Sequence, residues 1–176
     1  MTQTKKKLYA VSVAGMLAIF SPWANAMMEA DKFIGAWRLL SAEFRNADDS
    51  LAESPYGSEP LGVLMYDAQG TMCAQISSKD RKPFTVADRM GGSPEEVRAA
   101  FRSYQAYCGS FKIDEKEHTV THSVTQALLP NWMGSQQRRF YKFQDGKLVL
   151  RTPPLTIGGK QVTGVLVWEK IRLQQQ

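Results

Sequence analysis

The stretch His118–Tyr141, "HTVTHSVTQALLPNWMGSQQRRFY", decides the fold, because it holds two strand-like alternations joined by an apolar corner. Alternate residues of a strand share a face. Thr119, Thr121, Ser123 and Thr125 therefore fall on one side, and His118, Val120, His122, Val124 and Gln126 on the other. The small hydroxyl face suits water, so the valine face is read as inward and carries His122 with it. His118, beside Glu115 and Glu117 at the strand start, is read as solvated. After the corner, Gln137, Arg139, Tyr141 and Phe143 share a face opposite Arg138, Phe140 and Lys142. The first set ends in two aromatics and is also read as inward. A histidine and an arginine thus occupy faces that otherwise bury valine, tyrosine and phenylalanine.

Outward from this stretch the same alternation recurs, in "AWRLLSAEFR" (36–45), "GVLMYD" (62–67), "TMCAQIS" (71–77), "GSFKIDE" (109–115), "KLVLRT" (147–152) and "TGVLVWEKI" (163–171). The turns "DAQG" and "QDG" between neighbouring segments carry tight-hairpin chemistry. Recurrent short strands with turn residues between them predict an antiparallel β architecture. About eight strands would close into a barrel just wide enough for one small ligand. One amphipathic helix interrupts them over about residues 94–106. Ser93 is its N-cap, Pro94 fits the first helical position and Glu96 completes a capping box. Val97, Ala100, Phe101 and Tyr104 form one apolar stripe. The helix is expected to rest on something apolar, either plugging a barrel end or lying across the outside.

The first 26 residues stand apart. Lys5, Lys6 and Lys7 precede the apolar run "LYAVSVAGMLAIF" and then "SPWANA", the order of a secretory signal peptide with Ala24 and Ala26 as its small-residue site. The run is ~13 residues long against the ~20 that span a bilayer. Cleavage after Ala26 would leave one domain over 27–176, exported to the periplasm or beyond. The leader takes three lysines out of 22 basic residues and none of the 17 acidic ones, so the basic balance belongs largely to it. No remaining run of Lys and Arg marks a nucleic-acid partner. Cys73 and Cys108 are either a disulfide pair, which the exported compartment permits, or two buried thiols.

Several segments carry a family likeness: "FIGAWRLLSAE", "DRKPF", "GGSPEE", "YQAYCGSFKID", "TVTHSV", "PNWMGSQQRRF", "LRTPP" and "LVWEKI", in that order. Over residues 33–171 the chain resembles the bacterial lipocalin-like domain family, with "GAW" as the G-x-W opening. The resemblance implies a mainly β, calycin-type antiparallel barrel. It implies little about chemistry, since fold does not fix function, and it brings no catalytic assignment.

The candidate site therefore rests on the residues. Parity groups Trp37, Leu39, Ser41 and Glu43 on the inner face of the first strand, and Gln75 with Cys73 on that of a later one. With Trp132 from the corner, the candidate ligand-binding set is Trp37, Glu43, Gln75, His122, Trp132, Gln137, Arg139 and Tyr141. A buried arginine needs a carboxylate, water or a ligand. Arg139 could pair with Glu43 or cap the tryptophan end of the barrel. It could instead, with Tyr141, hold the anionic or carbonyl head of a small hydrophobic molecule in the lumen. That last reading is the favoured one.

Two alternatives stand beside it: a cofactor-free isomerase, cyclase or hydratase using His122 and Glu43, and an envelope protein whose barrel is filled by its own side chains. No cofactor is called for. No metal site is expected either, because His118 and His122 at i, i+4 on a strand stand ~13 Å apart. The corner residues Leu129, Trp132 and Met133 either pack the barrel rim or offer a transient membrane-surface contact.

Overall fold

The computed structural model describes residues 29–88 and 90–172. The leader and its cleavage site lie outside the described residues. A short helical stretch, α1, covers 29–33. The strands follow as β1 (Gly35–Asn46), β2 (Leu51–Ala52), β3 (Pro60–Tyr66), β4 (Thr71–Ser78), β5 (Tyr104–Asp114), β6 (Thr119–Ala127), β7 (Gln136–Gln144), β8 (Lys147–Arg151), β9 (Leu155–Ile157) and β10 (Lys160–Lys170). Helix α2 (Pro94–Arg102) lies between β4 and β5, and a 3-10 turn (Pro130–Trp132) between β6 and β7.

Local turn chemistry dictates which strands are neighbours. Asp145 and Gly146, with φ of 51° and 71°, join β7 to β8 in the doubly left-handed geometry that a two-residue hairpin requires. The β3–β4 hairpin is fixed by Asp67, whose carboxylate accepts from the backbone N–H groups of Gln69 and Thr71 at 2.9 and 2.8 Å. Antiparallel pairing runs β1-β3-β4-β5-β6-β7-β8-β10, and β10 returns to β1, so eight strands close a barrel. Closure removes the free edges that an open sheet would present. The short β2 and β9 extend the wall beside β1 and β10.

Two bulges shape the wall. On β1 the pairing with β10 skips Leu40, between Leu39↔Trp168 and Ser41↔Val167. That extra residue reverses the alternation: Trp37 and Leu39 are buried before it, Ala42 and Phe44 after it. Opposite Cys108 and Gly109 of β5 the pairing skips Thr125 of β6, between Cys108↔Gln126 and Gly109↔Val124. Only glycine fits there, since a Cβ on Gly109 would stand 2.0 Å from the Ser123 carbonyl oxygen.

One end of the barrel is closed by aromatic packing. The ring of Phe33, fully buried at the end of α1, meets Tyr66, Tyr141 and Phe143 edge-on at 5.3, 4.9 and 5.1 Å between centroids. Each such contact adds about 0.5–1.5 kcal/mol beyond area burial. Trp37 donates its indole N–H to the Phe33 carbonyl at 2.8 Å. The cation over the Trp37 ring is Lys170, at 5.3 Å. Arg139 therefore does not cap the tryptophan end.

Helix α2 is shorter than the sequence suggests. Its capping box forms as expected, with Ser93 and Glu96 bonding reciprocally. It ends at Arg102 rather than near 106, because Ser103 caps it and Tyr104 already pairs with Ser77 as the first residue of β5. None of its residues is buried. The stripe of Val97 and Phe101 stays nearly half exposed, outside the barrel near Phe84 and Leu128. The helix thus plugs neither end. Among the described residues no helix is long and apolar enough to cross a membrane.

Candidate functional site

Beyond the aromatic plug, the lumen opens into a cavity of about 230 Å³. Leu64, Ala74, Ile76, Leu150 and Leu166 form its apolar wall, and Trp132, Pro153, Pro154, Leu155 and Ile157 its rim. Its polar members are Tyr56, Gln105, Tyr107, His122, Gln137, Arg139, Thr152 and Trp168, with the exposed Gln136 and Arg138 nearer the mouth. An apolar pocket with a few convergent polar groups is the form that small-molecule sites take. At about 230 Å³ it is smaller than the ~300–1,000 Å³ of drug-sized sites, and suits a single substituted ring.

His122 is held on both sides. Its Nε2 lies 2.7 Å from the Tyr66 hydroxyl and its Nδ1 2.9 Å from the Tyr107 hydroxyl. Burial first, and the Arg139 charge second, push its pKa down to about 3. The ring is therefore neutral and offers one donor and one acceptor. Tyr66 is wholly buried and bonds to nothing else among the described residues, so its O–H must donate to Nε2. Nδ1–H then donates to Tyr107. The Tyr107 hydroxyl proton is left free, and Tyr107 lines the cavity. The chain Tyr66–His122–Tyr107 thus delivers one donor into the lumen.

Arg139 supplies more. It is 9% exposed, donates to the Arg138 carbonyl at 2.8 Å and to the Gln137 side-chain oxygen at 3.4 Å. No carboxylate pairs with it among the described residues, and no Asp or Glu lines the cavity. Tyrosinate cannot serve as its counterion. Burial pushes the Tyr66 and Tyr107 hydroxyls up and Tyr56 to about 12, so all three stay protonated despite the opposing pull of Arg139. The indole N–H of Trp168, a cavity residue exposed by only 2%, also has no partner among the described residues. Among the described residues the lumen is rich in donors and lacks anions.

The sequence-derived residues divide into three groups. His122, Trp132, Gln137 and Arg139 line the cavity. Trp132 tucks its ring edge-on against Tyr107 at 5.3 Å, while its neighbours Leu129 and Met133 remain exposed. Trp37 and Tyr141 face inward but belong to the closed end, away from the cavity. Glu43 and Gln75 are outside the barrel. The Leu40 bulge turns Glu43 outward, where it meets Arg45 at 3.1 Å. Gln75 alternates against the buried Met72, Ala74 and Ile76 and accepts from the Tyr104 hydroxyl at 2.7 Å. Cys73 shares that outer face and is bridged to its register partner Cys108, with Cα atoms 4.1 Å apart. Among the described residues no cluster of three or more His, Cys, Asp or Glu could hold a metal.

Parity could have found Gln105 and Tyr107, which alternate with Gly109 and Phe111 on β5, and Tyr66, which follows Leu64 on β3. Trp168 carried the same signal with Leu166. Tyr56 had none, because it enters from the loop between β2 and β3. There its hydroxyl hydrogen-bonds the Gln105 side chain.

Comparison with known proteins agrees with this architecture. The model of a lipocalin-like domain matches residues 34–171. The chain is also 31% identical over 107 residues to the 4'-hydroxy-3'-methoxypropiophenone carrier protein of Aspergillus oryzae, a match covering 57% of this chain and 96% of that protein. The chain belongs to the lipocalin-like domain family.

Proposed function

We propose that this lipocalin-like chain is an exported carrier that holds one small, mostly apolar molecule in its lumen by an oxygen acceptor, and that the molecule is an aryl ketone bearing a hydroxyl group. The observation that carries the reading is Arg139, a buried cation without a carboxylate partner among the described residues, beside an apolar cavity. Such a charge is costly unless something pairs with it. A ligand oxygen placed between Arg139 and the free Tyr107 hydroxyl would do so, with Trp168 N–H as a further donor. The cavity volume supports a single ring, and the name of the Aspergillus relative supports a hydroxyaryl ketone. The leader-like N-terminus and the Cys73–Cys108 bridge support export. Exposed Leu129 and Met133, on either side of the rim residue Trp132, would form the apolar lip through which the ligand enters, and a transient membrane contact would use the same lip.

The two other readings lose support. An acid–base pair of His122 and Glu43 would need both in the lumen, and Glu43 is outside. A barrel filled by its own side chains would leave no cavity. The test is native mass spectrometry, with solvent extraction, of protein recovered from its own compartment. A bound molecule of the mass of one substituted ring is the expected result. No bound species, together with no displacement of a fluorescent apolar probe by hydroxyaryl ketones, would overturn the reading.

A further inference from the structure

We propose that the cavity binds an acidic phenol or enol conjugated to a ketone as its anion, so that binding releases a proton and depresses the ligand's own pKa. The proposal rests on the carrier reading above and adds the charge state of the cargo. It follows from an imbalance in the lumen. Arg139 brings a full positive charge, Tyr107 and Trp168 bring donors, and among the described residues none that lines the cavity brings a negative charge. A neutral ligand would leave that cation uncompensated, and an anionic one would not.

The groups that face a bound ring can be named strand by strand. Arg139 and, at the mouth, Arg138 come from β7, Tyr107 from β5, His122 from β6, and Tyr56 from the loop before β3. The strands β1, β3, β4, β8 and β10 turn only non-titrating side chains to the cavity. Within this set the ligand is the strongest acid. A phenol with a para ketone spreads its negative charge onto the carbonyl and is more acidic than tyrosine. Tyr107 and Tyr56 remain protonated because burial outweighs Arg139 for an ordinary phenol. The more acidic ligand needs less help. At ~4 Å and an effective dielectric of ~20, one charge favours the anion by the equivalent of roughly 3 pK units. Desolvation opposes this, and is incomplete for an oxygen that also accepts from Tyr107.

The step balances simply. The ligand O–H bond breaks, its proton leaves to solvent through the mouth, and the oxyanion accepts from the Arg139 guanidinium and the Tyr107 hydroxyl. His122 does not take the proton, since Nε2 already accepts from Tyr66 and Nδ1 already carries a hydrogen. The site therefore selects for acidity as well as for shape.

The test uses the full chain with 4'-hydroxyacetophenone, whose phenolate absorbs at longer wavelength than its phenol, and 4'-methoxyacetophenone, which cannot ionise. Spectral titration of the bound phenol should give an apparent pKa at least ~1 unit below that of the free compound. In Arg139→Met the bound phenol should return to its free value or above and lose at least ~10-fold more affinity at pH 8 than the methoxy probe does. Arg139→Lys should restore part of the shift, which separates charge from folding. Both probes binding with the phenol still protonated would overturn the inference and leave the carrier reading standing. Neither probe binding would overturn both.

Discussion

Arg139 and Glu43 lie on opposite sides of the barrel wall. The arginine faces the lumen, and the carboxylate sits outside beside Arg45 at 3.1 Å. The pair that alternation suggests is broken by one unpaired residue, Leu40. Arg139→Met should then remove a desolvated charge without stranding a carboxylate. Stability of the ligand-free protein is expected to hold or rise by about 1 kcal/mol, Glu43→Gln to change it by less than ~0.5 kcal/mol, and the double mutant to be additive. Denaturant unfolding of the three variants checks this, and a coupling of several kcal/mol would contradict it.

The Tyr66–His122–Tyr107 chain should be energetically lopsided. Tyr66→Phe leaves the Nε2 lone pair buried without a donor, for a cost of about 1–3 kcal/mol. Tyr107→Phe leaves a donor facing the cavity, where water can reach it, and should cost less. Equal losses in urea unfolding would undo the assigned direction of the chain.

His122 should make the fold acid-sensitive in a definite window. The unfolded chain takes up the proton near pH 6.5, whereas the folded ring resists it down to about 3. Between these values the unfolded state binds more protons, so stability is full above about 6.5 and falls as the pH drops towards 3, by up to roughly 1.4 kcal/mol per unit. Melts from pH 7 to 4 should show this slope in the wild type and a shallower one in His122→Gln, whose side chain does not titrate.

Gly109 should tolerate no side chain. With a Cβ 2.0 Å from the Ser123 oxygen, Gly109→Ala must move β5 away from β6, and a loss of at least ~3 kcal/mol is expected by thermal or denaturant melting. The adjacent disulfide closes 35 residues of chain, so replacing Cys73 and Cys108 by serine should cost about 3–4 kcal/mol on the chain-entropy account. Because the bridge lies on the outer wall, ligand affinity should stay within a factor of about two in that variant.

Most of the barrel was legible in the sequence, because period-2 alternation, the Asp-Gly turn and the capping box are local signals that tertiary packing did not override. Parity placed His122, Gln137 and Arg139 inside, on strands where the register runs unbroken through those residues. It failed for Glu43 because a bulge leaves no mark in local composition, and for Gln75 because both faces of "TMCAQIS" carry apolar or small residues. Trp37 and Tyr141 were correctly inward, yet alternation gives a face and not a depth, and their depth is set by the Phe33 plug. The exposed α2 stripe shows the same limit, since an amphipathic pattern does not say how much of its apolar side finds a partner.

The most direct test of the account is calorimetric titration of a hydroxyaryl ketone into the wild type and into Ala74→Phe, which fills the cavity from the β4 wall, beside its register partner Tyr107, and leaves Arg139, Tyr107 and His122 themselves unchanged. The account predicts saturable one-to-one binding to the wild type and a loss of at least ~100-fold in the filled variant, with its β-sheet circular dichroism retained. Equal binding by the two proteins would place the ligand outside the lumen and contradict it.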